Sequence, residues 1–120
     1  MRDRVDLTVA VSALPPRELQ EEADGESSAA IRARVMAARD RQLARDGMLN
    51  ARLDGRRLRR RVRVQGAGRT LVEKALAKLS LSARGFDRFL RVSRTLADLG
   101  GSEDVEAEHL AEALQFRSEA

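Results

Sequence analysis

The 120-residue sequence contains no cysteine, no tryptophan and no tyrosine. Without cysteine there is neither a disulfide framework nor a thiolate metal site, and a reducing compartment, the cytoplasm, is the expected setting. Aromatic residues are limited to Phe86, Phe89 and Phe116. Stacking of single-stranded bases needs aromatic platforms, and all three phenylalanines fall on helical patterns where core packing is the expected use. No apolar run approaches the roughly 18 residues of a membrane span, and the first residues lack the apolar centre of a signal peptide. No Gly-x-x-x-x-Gly-Lys-[Ser/Thr] string is present, and the only lysines are Lys74 and Lys78. Without a Gly-rich loop to cradle phosphates, this stretch is not expected to hydrolyse ATP by itself. His109 is the only histidine; acid–base or metal chemistry would need partners around it, so it reads as a surface or half-buried helix residue. Ser27, Ser28 and Ser82 lack an accompanying His–Asp constellation and read as helix caps rather than nucleophiles.

Hydrophobic residues make up 42% of the chain and charged residues 35%. That is enough for one small aliphatic core and too apolar for a disordered tail. The net charge of +4 is carried almost wholly by arginine. An arginine-biased composition accounts for this, and so does phosphate recognition, which arginine performs bidentately.

Val5, Leu7, Val9 and Val11 alternate with polar or small residues, a period of two that predicts a strand over 5–12. It is the only such pattern. A lone strand cannot satisfy its own backbone groups, so the chain reads as a piece of a longer protein, or as an arm lying on helices. Pro15-Pro16 ends the strand, and Asp24-Gly25 closes a polar loop. Ser27 or Ser28 then caps a helix from about 29 to 46, with Ile31, Val35, Ala38 and Leu43 at roughly helical spacing and Gly47 as its stop. Asp54 caps a short helix through Arg56–Arg63. Gly66-Ala67-Gly68 interrupts, and a helix over about 69–80 follows, with Leu71, Val72, Ala75, Leu76 and Leu79 on one face. Ser82 caps a helix over about 83–99, with Phe86, Phe89, Leu90, Val92, Ser93, Leu96, Ala97 and Leu99 inward. Arg94 and Asp98 lie four apart, the spacing of an intrahelical pair. Gly100-Gly101 ends it, and a last helix over about 106–117 turns Leu110, Ala113, Leu114 and Phe116 inward. The expected fold is mainly α: a helical bundle (26–120) preceded by a strand arm and linker (1–25).

Several strings occur in one order: Asp3-Arg4-Val5-Asp6-Leu7, Gly25-Glu26-Ser27-Ser28, Ala38-Arg39 with Gln42 and Arg45, Asn50, Leu81-Ser82-Ala83-Arg84, Arg94-Thr95-Leu96-Ala97-Asp98-Leu99 and Glu112-Ala113-Leu114-Gln115-Phe116-Arg117. Together they resemble the C-terminal region of the magnesium-chelatase-like AAA+ ATPases of the ComM/YifB type, from Asp3 to Arg117. The resemblance implies a lid-type helical domain of a hexameric ATPase, associated in this family with DNA branch migration during natural transformation. ATP and Mg²⁺ would be held by the full-length protein and not by this piece. The implied partners are the ATPase core of the same chain, neighbouring subunits and DNA, with no membrane. The helix near 28–46 would be the insertion preceding the lid. Three departures from the family pattern occur. Met1-Arg2 stands where such proteins usually have a core sequence leading into the motif. Leu96 replaces an isoleucine-type residue, and Gly85 follows Ser-Ala-Arg, weakening the helix there by about 0.5–1 kcal/mol relative to alanine.

On the same resemblance, Arg4 is the candidate arginine finger and Arg84 the candidate sensor-2 residue that meets ATP phosphate. Spacing alone leaves Arg84 an alternative, pairing with Asp87 or Asp98. The basic run Arg56, Arg57, Arg59, Arg60, Arg61 and Arg63 is a candidate contact for DNA phosphates, or a solvated or subunit-facing surface. Two other functions remain open at this point: a stand-alone nucleic-acid-binding module built on that run, and an assembly adaptor without a nucleotide role.

Overall fold

Local capping explains where the helices begin and end. The computed structural model describes residues 7–9, 25–62, 66–79 and 82–116, without the side chains of Ala67, Leu76 and Leu79. Ser27 Oγ accepts the Ala30 N–H at 3.1 Å and starts α1, Ser28–Asp46. Gly47 ends it at φ 70°, a left-handed conformation that glycine adopts without Cβ strain, and its N–H donates to the Leu43 carbonyl at 2.8 Å. A 3-10 turn, Asn50–Arg52, leads to Asp54, whose carboxylate accepts the Arg57 N–H at 2.9 Å and caps α2, Gly55–Arg61. Next come α3, Ala67–Leu79, and α4, Ala83–Leu99, the latter capped by Ser82 Oγ on the Gly85 N–H at 3.0 Å. The last helix is α5, Ala107–Gln115.

Helix α4 is the organising element. It packs on α1, on the 3-10 turn, on α2 and on α5, and α3 closes the other side of α5. Phe89, Leu90 and Ala97 of α4 meet Val72 of α3, Val105, and Leu110 and Ala113 of α5 in one buried cluster. Phe86 lies half-buried at its edge, its ring centroid 6.4 Å from that of Phe89.

The mainly helical class is as expected. Of the strand expected over 5–12, only residues 7–9 are described; no strand ladder occurs there, and the Thr8 N–H donates to the Phe116 carbonyl at 2.8 Å. The apolar face expected on α1 is corrected. Ala38 and Gln42 are its buried residues, while Ile31, Val35 and Leu43 are each more than 40% exposed. The cause is geometric: the buried residues of α1 and its bonds to α4 lie on one face of its second half, that of Ala38, Arg41, Gln42 and Arg45, so Ile31 and Val35 precede the contact and Leu43 lies off that face. Helix α3 begins at Ala67, two residues earlier than expected, so Gly68 lies within its first turn and, of these two glycines, Gly66 is the left-handed one, at φ 58°. Among the described residues no helix is long and apolar enough to cross a membrane.

Candidate functional site

Arg84 occupies the first turn of α4, two residues after its cap. Its side chain is exposed, and it forms no hydrogen bond or ion pair with any described residue. The two carboxylates that spacing offered it are engaged elsewhere. Asp87 Oδ1 stands 3.7 Å from Arg59 Nη2. The same carboxylate closes on the start of α2, where a Cβ on Gly55 would come within 2.7 Å of Oδ2, so the approach depends on glycine. Asp98 lies four turns along α4 and is wholly enclosed.

Electrostatics make this placement of Arg84 notable. The N-terminal end of a helix carries partial positive charge, which disfavours a cation and favours an anion. An arginine here gains nothing from its own helix, while its guanidinium and the helix end attract the same anion. Removing the cap should loosen this turn: Ser82→Ala is expected to cost about 1 kcal/mol of stability, read as a shift in urea midpoint, with faster amide exchange at Gly85.

The rest of α4 is fixed by a buried polar network. Arg94 and Asp98 do form the expected intrahelical pair, at 3.0 Å, but both are almost fully buried, at 2% and 1% exposure. Arg94 also donates to the carbonyl oxygens of Ser102 at 2.9 Å, Glu103 at 2.8 Å and Arg61 at 3.3 Å. Asp98 accepts from Arg45 of α1 at 2.9 Å and from Asn50 Nδ2 at 2.8 Å. Asn50 in turn accepts from Arg45 through Oδ1, and its N–H donates to Gln42 Oε1, each at 2.8 Å. Arg91 reaches the carbonyls of Asn50 and Leu53 at 3.2 and 3.1 Å. Burial holds the Arg94 guanidinium below the ordinary arginine pKa, against the pull of Asp98. Burial works the same way on Arg45, but Asp98 and Asp46 outweigh it and leave Arg45 above the ordinary value. The network ties α1, the 3-10 turn and the loop after α4 to one helix, and so sets where the Arg84 end points. Sequence reasoning found the Arg94–Asp98 spacing but missed Gln42, Asn50 and Arg45 as its partners.

The arginines of α2 are brought together on one short helix. Leu58 is fully buried under it, and Arg56, Arg57, Arg59, Arg60 and Arg61 are all exposed. Arg4 and Arg63 lie outside the described residues. His109 is a structural residue: it is nearly buried, and its Nδ1 accepts the Glu106 N–H at 2.9 Å at the start of α5. Among the described residues no group of three or more metal-ligating side chains converges.

Comparison with known proteins agrees with the order of motifs. The family described as magnesium chelatase, subunit ChlI C-terminal, matches residues 25–117. The chain belongs to this magnesium chelatase C-terminal family. It is 43% identical over 117 residues to the competence protein ComM of Haemophilus influenzae, covering 97% of this chain and 23% of that protein. It is 39% identical over 117 residues to the uncharacterized protein YifB of Escherichia coli, with the same coverage. An uncharacterized Mycobacterium bovis protein is 40% identical over 119 residues, 96% of this chain and 24% of that protein. The chain thus spans about a quarter of the length of the curated relatives it matches. For a domain of this family, Ser82 and Arg84 open the central helix, and Arg94, Asp98, Arg45 and Asn50 form its buried frame.

Proposed function

We propose that this domain is the helical lid and subunit-interface region of a ComM/YifB-like AAA+ ATPase, in which Arg84 meets nucleotide phosphate. The observation that carries the reading is Arg84 itself: a solvent-facing guanidinium with no partner among the described residues, at the positive end of a helix whose remainder is locked by buried ion pairs. Phosphoryl transfer spreads negative charge over the phosphate oxygens, and a positioned guanidinium stabilises it. On this reading Arg4 supplies the arginine finger, ATP and Mg²⁺ are held by the ATPase core, and the lid couples nucleotide state to neighbouring subunits of a hexamer. DNA branch migration would be the work of the whole protein, in keeping with the competence role in the name of one relative.

The test uses the full-length protein that carries this domain. ATP turnover and branch migration are measured for the wild type, Arg84→Ala, Arg84→Lys and Arg4→Ala. Both alanine variants are expected to assemble normally and lose tenfold or more in turnover, about 1.4 kcal/mol of barrier. Arg84→Lys, which keeps the charge but not the planar fork, should recover part of it. Because Arg84 is exposed, the stability of Arg84→Ala should stay within about 0.5 kcal/mol of wild type. Unchanged turnover in Arg84→Ala would end the nucleotide reading.

A further inference from the structure

The end of α1 and the face of α2 enclose a second basic feature, distinct from Arg84. Arg45, Asp46, Arg57, Arg60 and Arg61 line an open cleft of about 230 Å³. Four of these five side chains are cationic. The side chain of the single carboxylate, Asp46, is 4% exposed and already bound on both oxygens: Oδ2 accepts from Arg45 Nε at 2.8 Å and Oδ1 from Arg61 Nε at 2.6 Å. Arg60 has no ion pair among the described residues, and the hydrogen bond of Arg57 goes to Met48 Sδ, an uncharged acceptor, at 3.3 Å. Four guanidiniums thus line the cleft against one carboxylate, and because Arg45 is also met by Asp98 from behind, the positive charge left to the open side sits on Arg57, Arg60 and Arg61.

We propose that this cleft docks the phosphodiester backbone of nucleic acid. Arg57, Arg60 and Arg61 stand three and four residues apart and share one face of α2. Arg59 turns the other way, toward Asp87. The cationic face is preorganised: Leu58 and the Asp54 cap anchor α2, and Arg45 is held from behind by Asp98 and Asn50. The lining contains no aromatic or aliphatic side chain. A mononucleotide would find no wall for its base, and a protein partner would find no apolar centre of the kind that interfaces are built around. What the cleft offers is guanidinium after guanidinium on an open surface, which suits a polyanion that releases counterions on binding. Contacts confined to phosphate carry no sequence information, so binding is independent of base sequence. The proposal does not rest on the nucleotide reading of Arg84, and a DNA-binding assay without ATP tests it separately.

Binding of the 120-residue chain to a labelled mixed-sequence DNA duplex is measured by anisotropy across a salt series. Arg57→Ala/Arg60→Ala is compared with Arg32→Ala/Arg39→Ala, which removes the same charge from exposed positions on α1. Thermal midpoints verify that both variants fold. The cleft variant is expected to bind about tenfold more weakly, with its salt slope reduced by about 1 for each arginine removed. The α1 variant should keep the wild-type slope. Equal weakening of the two variants would reduce the effect to general charge and overturn the proposal, as would a wild-type chain that does not bind the duplex. Displacement of the duplex by poly-glutamate or inorganic phosphate as effectively as by unlabelled duplex would also overturn it, assigning the cleft to an acidic protein or a simple anion.

Discussion

Asp98→Ala should cost the domain about 3–5 kcal/mol, the range for removing one partner of a buried ion pair. At about 4 °C per kcal/mol for a chain between the small and medium size classes, Tm should fall by roughly 12–20 °C. The asymmetry of the network locates the damage. Arg45 keeps Asp46 at 2.8 Å and reaches partly into solvent, so it loses one of two anions. Arg94 is 2% exposed and has no other carboxylate within ion-pair distance among the described residues. Its remaining acceptors are the carbonyls of Arg61, Ser102 and Glu103. Burial already works against the charged form of Arg94, with Asp98 opposing it, yet a guanidinium stays protonated across the accessible pH range. The variant must therefore hold a buried cation without its counter-ion. Asp98→Asn, which retains one acceptor and the side-chain shape, should lose less. Arg94→Met/Asp98→Ala should recover part of the loss, because the stranded cation is gone. Urea unfolding of the four proteins measures this, and a loss under about 1 kcal/mol in Asp98→Ala would mean that the network does not hold α4 in place.

Helix limits were the legible part of this fold because the chemistry that sets them is local. Ser27, Asp54 and Ser82 each accept an N–H three residues ahead, and that geometry depends only on neighbouring residues. Gly47 announces a stop for the same reason. The direction each helix faces was less legible. Ile31 and Val35 have the spacing of a buried stripe, yet burial requires a partner helix alongside, and α4 meets only the later turns of α1. Arg94 and Asp98 show the opposite case. A charged pair at i, i+4 reads the same on a solvated face as in a core, and only the arrival of Arg45 and Asn50, 53 and 48 residues before Asp98 in the chain, makes the core position tolerable. Gln42 and Asn50 could have been flagged as polar residues in otherwise helix-compatible surroundings, but nothing local distinguishes them from surface amides. For the candidate sites, cap and spacing put Arg84 in the first turn of α4, but spacing could not decide whether Asp87 or Asp98 would neutralise it. That depended on Arg59 reaching Asp87 from α2 and on Asp98 facing inward.

Phe89→Ala is the other substitution expected to be severe, at about 3–5 kcal/mol for deletion of a buried aromatic side chain. The scarcity of aromatics concentrates the load. Phe86 and Phe116 are half-buried, and there is no tryptophan or tyrosine to share the volume. The Phe89 ring, 1% exposed, is the largest apolar side chain of the buried cluster, and no other aromatic side chain is fully buried beside it to take up its volume. Relaxation around such a cavity is partial, which is why cost rises with the volume left empty. Ile31→Ala is the matched comparison: a large aliphatic residue on the longest helix, 43% exposed, whose truncation should change stability by no more than about 0.5 kcal/mol. Denaturant unfolding of the two variants separates the helix that carries the core from the helix that projects beyond it. If Ile31→Ala proved as costly as Phe89→Ala, the first turns of α1 would have to be packed against a partner. If Phe89→Ala proved as mild as Ile31→Ala, α4 could not be the helix around which this bundle is built, and Arg84 would lose the rigid support that its proposed contact with phosphate requires.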